Sequence, residues 1–408
     1  MLNPSRFVGL VGLFAPLAVA LSACVSIIGL PEVPNLAEGD SPESGPPRTD
    51  SAVDPSRDGS ADTALDTGLD VDIASPDGEG GTDGGQTKPP SCKERTAPGI
   101  HDCGPFTSPA TRGTEDCCAS PLVNSDRTSF NRLFISSPGS ASAKVSPFRL
   151  DKYEVTVGRF RAFVAAAAMG FSPAPGSGKH THLRDLGGSV VGLALPGGGF
   201  EQGWQDAFDP NMTAFLAVND TKSTYRASPP DDRRPVNLVT WAEAYAFCIW
   251  DGGFLPTEAE WIYAAANGSA QRQWPYGNSP SAVGNAALAI IGHNYPVGNT
   301  KAISNTVNQI APVGFPMNGD SAFGQSDLTG NLQEYVLDRG DGNSSNFPNA
   351  PQTDECTDCT TFSGGQVIVR GGNYGDPPSA PITGNTVRGQ FLQARADFQG
   401  FRCARSPL

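Results

Sequence analysis

Between Pro31 and Pro90 the chain has no Phe, Trp or Tyr, and Asp, Gly, Ser, Pro and Thr dominate it. Such a stretch buries too little apolar surface to offset the entropy of ordering it. It is expected to stay a disordered tether and to leave folding to the residues that follow. Fourteen acidic residues lie between Glu32 and Asp83, against only Arg48, Arg57 and Lys88. The tether therefore carries most of the formal charge of −14, and the rest of the 408 residues is close to neutral. This acidity describes a soluble stalk, not a surface for cations or basic partners, and no basic patch points to nucleic acid.

Ahead of the tether, Arg6 precedes an apolar run from Phe7 to Leu21 that is short for a membrane span. The run closes on Leu21-Ser22-Ala23-Cys24, which resembles the lipobox of bacterial lipoproteins. That resemblance implies a signal peptide over residues 1–23, removal before Cys24, and a membrane anchor through the diacylated Cys24 thiol. The alternative is an ordinary signal peptide cut near Ala23, with Cys24 free. Either way the chain is exported. Val25, rather than Asp, after Cys24 favours the outer membrane or cell surface over the inner leaflet system. Residues 24–91 are then the tether.

Eight further cysteines stand at 92, 103, 117, 118, 248, 356, 359 and 403. An even number in an exported chain favours disulfides over thiols. Residues 92–128 are cysteine-dense and rich in Gly, Pro and Ser. They read as a small collar with two bonds among Cys92, Cys103, Cys117 and Cys118, in a pairing the spacing does not reveal. Cys356-Thr-Asp-Cys359 reads as a third bond; zinc is the rival, but no second CxxC or nearby His completes a tetrahedral set.

Residues 129–408 form the main domain. Pro147–Val155 alternates as a strand, and Thr156 is placed to cap a helix running to Met169, with Phe160, Phe163, Val164 and Ala167 on one stripe. Thr240-Trp-Ala-Glu243 and Thr257-Glu-Ala-Glu260 are capping boxes. The first opens the stripe Trp241, Ala244, Tyr245 and Cys248, which Gly252 and Gly253 end. The second opens a helix from Glu258 to near Ala266. Beyond Asn267, Gly, Asn, Pro and Ser recur every few residues, and short strands are expected only near Ala311–Phe315 and Gln366–Arg370. The reading is an α+β domain of low regular secondary structure, stabilised by disulfides, loops and ions.

Several pieces in order resemble the formylglycine-generating enzyme family, also called the sulfatase-modifying factor domain. They are Leu150-Asp-Lys-Tyr-Glu-Val-Thr156, Arg234-Pro-Val-Asn237, Ala244-Tyr-Ala-Phe-Cys248, Phe254-Leu-Pro-Thr-Glu-Ala-Glu-Trp261 and Trp274-Pro-Tyr-Gly-Asn278. Ala311-Pro-Val-Gly-Phe315, Asp327-Leu-Thr-Gly-Asn-Leu-Gln-Glu334, Arg370-Gly-Gly372 and Gly400-Phe-Arg-Cys-Ala404 complete them. The resemblance implies the family's variant of the C-type-lectin-like architecture. It also implies a disulfide between Cys248 and Cys403, which should stabilise by roughly 4–5 kcal/mol in the chain-entropy picture. Residues 327–334 match a calcium turn of the family, whose ligands would be the side chains of Asp327 and Glu334 and the carbonyls of Gly330 and Leu332. Calcium suits such an oxygen set; a capped turn with Glu334 solvated is the plainer alternative. A second calcium site of the family falls near Asn285 and Asn305, where its pattern is degraded.

Val367-Ile-Val369 leads into Arg370 and paired glycines, the form of an active-site mouth. Yet between Gly371 and Gln399 there is no Cys, His, Lys or Glu. Family members that oxidise a substrate cysteine bind copper through two cysteines shortly after this Gly-Gly, because soft thiolates suit Cu(I). In register those positions are Asp376 and about Pro381, which cannot make a thiolate pair, so copper is not expected. A family Trp beside the calcium turn is replaced by Gln333. Cys356 and Cys359 are conceivable substitutes, as CxxC also binds copper or exchanges disulfides, but no helix N-terminus or cation is evident beside them. Lys179-His180-Thr-His182 puts two rings on one face of an extended chain, too few for a metal site alone and more often a solvated pair. His101 and His293 are isolated. The three-histidine iron domain of related carbon–sulfur-forming branches has no room here, and no nucleophile elbow, phosphate loop or H-E-x-x-H occurs.

The expectation is therefore a lipid-anchored binding or scaffold module. Its pocket, lined by Arg370, Asn373, Tyr374, Asp376 and Arg395, would face a peptide or glycan at the cell envelope. The competing expectation is a family-type oxidoreductase that modifies exported proteins with non-standard metal ligands.

Overall fold

The computed structural model describes residues 88–93, 96–106, 113–132, 142–185, 187–195, 198–278, 285–296, 307–316, 318–340, 355–362, 365–376 and 390–407. Cys24, Asn305 and Pro381 lie outside the described residues.

Helices form where the local chemistry asks for them. Thr156 caps α1 (Val157–Ala168) by accepting the Arg159 N–H. A short α2 (Met212–Ala217), capped by Asn211, follows in the long connection after α1; at six residues it offers too little periodicity to be read from sequence. Both capping boxes close, at the starts of α3 (Trp241–Trp250) and α4 (Glu258–Ala265).

Ten short strands are described: β1 (Leu122–Val123), β2 (Phe130–Asn131), β3 (Ser142–Lys144), β4 (Phe148–Leu150), β5 (Gln333–Gly340), β6 (Cys356–Thr357), β7 (Gln366–Arg370), β8 (Gln390–Phe391), β9 (Gln399–Phe401) and β10 (Ala404–Arg405). They make three small sheets ordered β1-β4-β10, β2-β3-β6 and β8-β7-β5-β9. The expected strand over Pro147–Val155 is confined to β4. None forms at Ala311–Phe315: Pro312 has no N–H to give a ladder, and Gly314 turns the chain at φ 75°.

The third sheet is a packed layer with helices on both faces. Tyr335, Leu337, Val367 and Val369 face the cluster built by α1 and α3, with Phe160, Phe163, Trp241 and Phe247. Val336 and Ile368 face the opposite way, onto Trp261 and Ile262 of α4. Burial on both sides explains why β7 is a continuous β-branched run rather than an alternating one.

The cysteines pair as Cys92–Cys118, Cys103–Cys117, Cys248–Cys403 and Cys356–Cys359. The collar they staple is sewn into the main body by buried charge. The fully enclosed guanidinium of Arg159 donates to Asp151 at 3.0 Å, Asp251 at 2.6 Å, the Cys117 carbonyl at 3.2 Å and Ser91 Oγ at 3.1 Å. Arg405 reaches the same two carboxylates, so two cations and two anions neutralise one another inside.

Candidate functional site

At the end of β7 the chain turns through Gly371 and Gly372, at φ 94° and 71°. A Cβ on Gly371 would lie 3.2 Å from the Trp261 ring, so the left-handed turn and the close approach both select glycine there. The next residues tie themselves into a tight knot. The Asn373 N–H and Nδ2 donate to Asp376 Oδ2 at 2.9 and 3.0 Å, and the Gly375 N–H donates back to Asn373 Oδ1 at 2.9 Å. The Tyr374 hydroxyl donates to Asp397 at 3.2 Å, and Lys222 pairs with the same carboxylate at 3.1 Å. Burial, with the Asp397 charge, pushes the Tyr374 phenol well above its ordinary range.

His293, isolated in sequence, comes to this turn: its N–H donates to the Tyr374 carbonyl at 2.8 Å, and its ring meets the Tyr374 ring edge-on at 6.1 Å. Its Nδ1 is buried without a partner. Arg395 lies two residues from Asp397 and grips Glu243, at the first turn of α3, at 2.5 and 2.6 Å. The structure thus brings Asn373, Tyr374 and Asp376 together and links them through Asp397 to the segment carrying Arg395. Arg370 is fully enclosed: Glu258 of α4 holds one guanidinium nitrogen, while Nε and Nη1 are buried without a partner, as the Gln333 amide is. A residue at the end of a doubly buried strand inherits that burial.

Sequence reading found neither Asp397 nor Lys222, since a Tyr374–Asp397 contact 23 residues apart and a Lys222–Asp397 pair far more distant in the chain leave no local pattern. Gln333 gains meaning only in the fold. It is wholly buried opposite Gln399 on β9, and both its amide atoms lack partners, as does Gln399 Nε2. The Tyr335 hydroxyl donates to Gln399 Oε1 at 2.8 Å. Three unpaired polar atoms in so dry a place call for water or a polar ligand.

The expected calcium turn is tightly built. Asp327, Gly330 and Asn331 have left-handed backbones, and a Cβ on Gly330 would strike the Ile290 carbonyl at 2.2 Å. Glu154 accepts from the Leu332 N–H at 3.0 Å and from Asn331 Nδ2 at 2.7 Å. Burial, then the charges of Asp327 and Glu334, hold its carboxyl well above the usual range. The residues fit a cation in part. Asp327 Oδ1 is buried and unpartnered, and burial with the neighbouring Asp320 and Glu334 pushes its carboxyl up to about 7. Glu334, by contrast, is forked by Arg402 at 2.7 Å on each oxygen and takes the Trp261 indole N–H at 2.9 Å. It is neither solvated nor free.

The His-Thr-His stretch departs from the solvated pair that its loop context favours. His180 is fully buried, with Nδ1 3.1 Å from Glu201 and Nε2 3.3 Å from Glu260. Burial opposes its charge, but the two carboxylates outweigh that and push its pKa up to about 10. Two anions make an enclosed imidazolium tolerable, a pairing invisible in the local sequence. Among the described residues the only metal-ligating triad within 4.8 Å is Cys92, Asp116 and Cys118, two of which are bonded to each other.

Residues 122–407 match the family described as the Sulfatase-modifying factor enzyme 1-like domain, and the chain belongs to that family. Its α+β fold, with few helices and short, C-type-lectin-like sheets, is the family's. Among curated relatives, a formylglycine-generating enzyme of Thermomonospora curvata is 29% identical over 284 residues, covering 65% of this chain and 84% of its own. A hercynine oxygenase of Mycolicibacterium thermoresistibile is 31% identical over 198 residues, covering 47% of this chain and 36% of its own. A Bos taurus protein described as inactive C-alpha-formylglycine-generating enzyme 2 is 35% identical over 105 residues, covering 25% and 32%.

Proposed function

We propose that this chain is a binding or scaffold module built on the sulfatase-modifying factor fold, anchored to the cell envelope through Cys24 and offering its turn after β7 to a peptide or glycan. The observation that carries this reading is Asp376. In the register that the family resemblance implies, it takes the place of a copper-binding cysteine, and its carboxylate is tied to the backbone and side chain of Asn373. All eight described cysteines are bonded in pairs, which leaves no thiolate there for a soft metal. The unpaired amide atoms of Gln333 and Gln399 suit a ligand with both donors and acceptors. A relative described as inactive supports the idea that the fold is used without the oxidation. Asp327, with its unpartnered oxygen, is proposed to hold calcium with the carbonyls of Gly330 and Leu332, Glu334 remaining the weaker ligand because Arg402 already holds it.

The competing reading is a family oxidoreductase with other metal ligands, and the buried, unpartnered Nδ1 of His293 beside the turn is what favours it. Metal analysis of the purified protein separates the two. Calcium without copper or iron, together with protection of the 327–334 turn from proteolysis that EGTA removes, is the expected result. Stoichiometric copper or iron, or dioxygen uptake on a cysteine peptide after loading with cuprous ion, overturns the binding reading.

A further inference from the structure

The Cys356–Cys359 bond is unlike the other three. Those join positions 14, 26 and 155 residues apart and are enclosed. This one closes a span of 3, and Cys359 keeps part of its surface exposed while Cys356 is buried. So small a ring removes less freedom from the unfolded chain than any of the other three, so stability is a weaker account of it than of them.

Nor is the bridge all that holds the turn. The Asp358 N–H donates to the Lys144 carbonyl at 2.9 Å, and the Asp358 carbonyl accepts from the Ala194 N–H at 2.9 Å. Ser146 donates to the Asp358 carboxylate through its N–H at 2.5 Å and its hydroxyl at 2.7 Å. The Thr360 N–H closes onto the Ala194 carbonyl at 3.1 Å, and β6 pairs with β3 on the other side. Five main-chain and side-chain bonds that involve no sulfur therefore hold this turn alongside the bridge.

We infer that Cys356 and Cys359 form a reversible thiol–disulfide exchange site, with Cys359 as the sulfur attacked, acting on small or polypeptide dithiols independently of the binding reading above. An incoming thiolate attacks Cys359 Sγ, the Cys356–Cys359 bond breaks, and its electron pair leaves on Cys356 Sγ, which takes up a proton. The second thiol of the dithiol, losing its proton, then displaces Cys359 from the mixed disulfide. Two electrons and two protons pass from the dithiol to the pair, and the reverse steps return them. Two cations that reach residues beside the pair are themselves engaged, Arg127 with Asp358 at 3.4 Å and Lys144 with Glu355 at 2.5 Å. Neither thiolate gains a net positive field, so the reduced form is not specially stabilised and the pair should equilibrate with ordinary dithiols rather than oxidise them outright.

The test is graded reduction of the intact protein by dithiothreitol under native conditions, with alkylation and peptide mapping. Cys356 and Cys359 should take the label at least tenfold ahead of the other six cysteines, with the near-ultraviolet circular dichroism unchanged, and oxidised dithiothreitol should restore the bond. A dithiol peptide that reduces the pair at least tenfold faster than an equimolar small dithiol such as dihydrolipoamide identifies a polypeptide partner; equal reduction by both identifies a small-dithiol couple. The Cys356→Ser protein should form a mixed disulfide with oxidised glutathione through Cys359, while Cys359→Ser should not react. Reduction of the pair only together with the enclosed disulfides, or collapse of the circular dichroism when it alone is reduced, overturns the inference.

Discussion

His180 shows how much a single side chain gains from partners the local sequence does not contain. Its imidazolium, enclosed between Glu201 and Glu260, fastens the long insertion after α1 onto the start of α4. A histidine held protonated above its ordinary value contributes stability that is fully present below pH 6.5 and is lost as pH rises through about 10. The melting temperature should therefore fall between pH 7 and 10, and the fall should be much shallower in His180→Gln. At pH 7 that variant should lose about 3 kcal/mol, because two carboxylates are left buried without their cation. A His180→Gln protein with an unchanged pH profile of melting would remove the imidazolium from this role. Asp376 makes the contrast: its carboxylate serves a local turn, and replacing it by Asn should cost little stability.

The helices were the part most open to reading, because a cap is a local device. Thr257 and Glu260 close their box at 3.0 and 2.7 Å, and Thr240 and Glu243 close theirs at 3.2 and 2.9 Å. Each acid then has a second duty that only the fold assigns, Glu260 to His180 and Glu243 to Arg395. Thr257→Ala should cost about 1 kcal/mol as an ordinary cap loss. Glu260→Gln should cost roughly three times as much, since it also unpairs a buried cation. Urea denaturation of the two variants distinguishes them, and equal losses would mean that the capping role is all that Glu260 has. Strands were less legible. β5, the longest, mixes Gln, Glu, Asp and Arg with apolar residues: Glu334, Asp338 and Arg339 meet Arg402, the Glu258 N–H and aromatic rings far away in sequence, while the Gln333 amide is left unpaired.

Across the molecule, the Cys248–Cys403 bond joins α3 to the turn between β9 and β10 at a Cα separation of 5.4 Å, closing a span of 155 residues. Its removal releases about 5 kcal/mol of unfolded-state entropy, against about 2 kcal/mol for the three-residue span of Cys356–Cys359. Cys248→Ser should lower the melting temperature by roughly 10 °C, several times the effect of Asp376→Asn. Equal shifts would mean that the bond carries no special share of the fold. The same reasoning makes the collar part of the body: the Ser91 N–H donates to Asp251 at 2.9 Å, and Arg159 spans both.

What the sequence determined alone were features written within a few residues of one another: an aromatic-poor acidic stretch, two capping boxes, a β-branched run, and family motifs that named the fold. What the tertiary structure decided was every partnership across tens or hundreds of residues. It enclosed Arg370, moved His180 from solvent to the interior, brought His293 and Asp397 to Tyr374, and chose the pairing of the four collar cysteines. The physical reason is that local preference is set by backbone sterics and nearby donors, whereas the worth of a buried charge depends on which distant counter-charge the fold delivers to it.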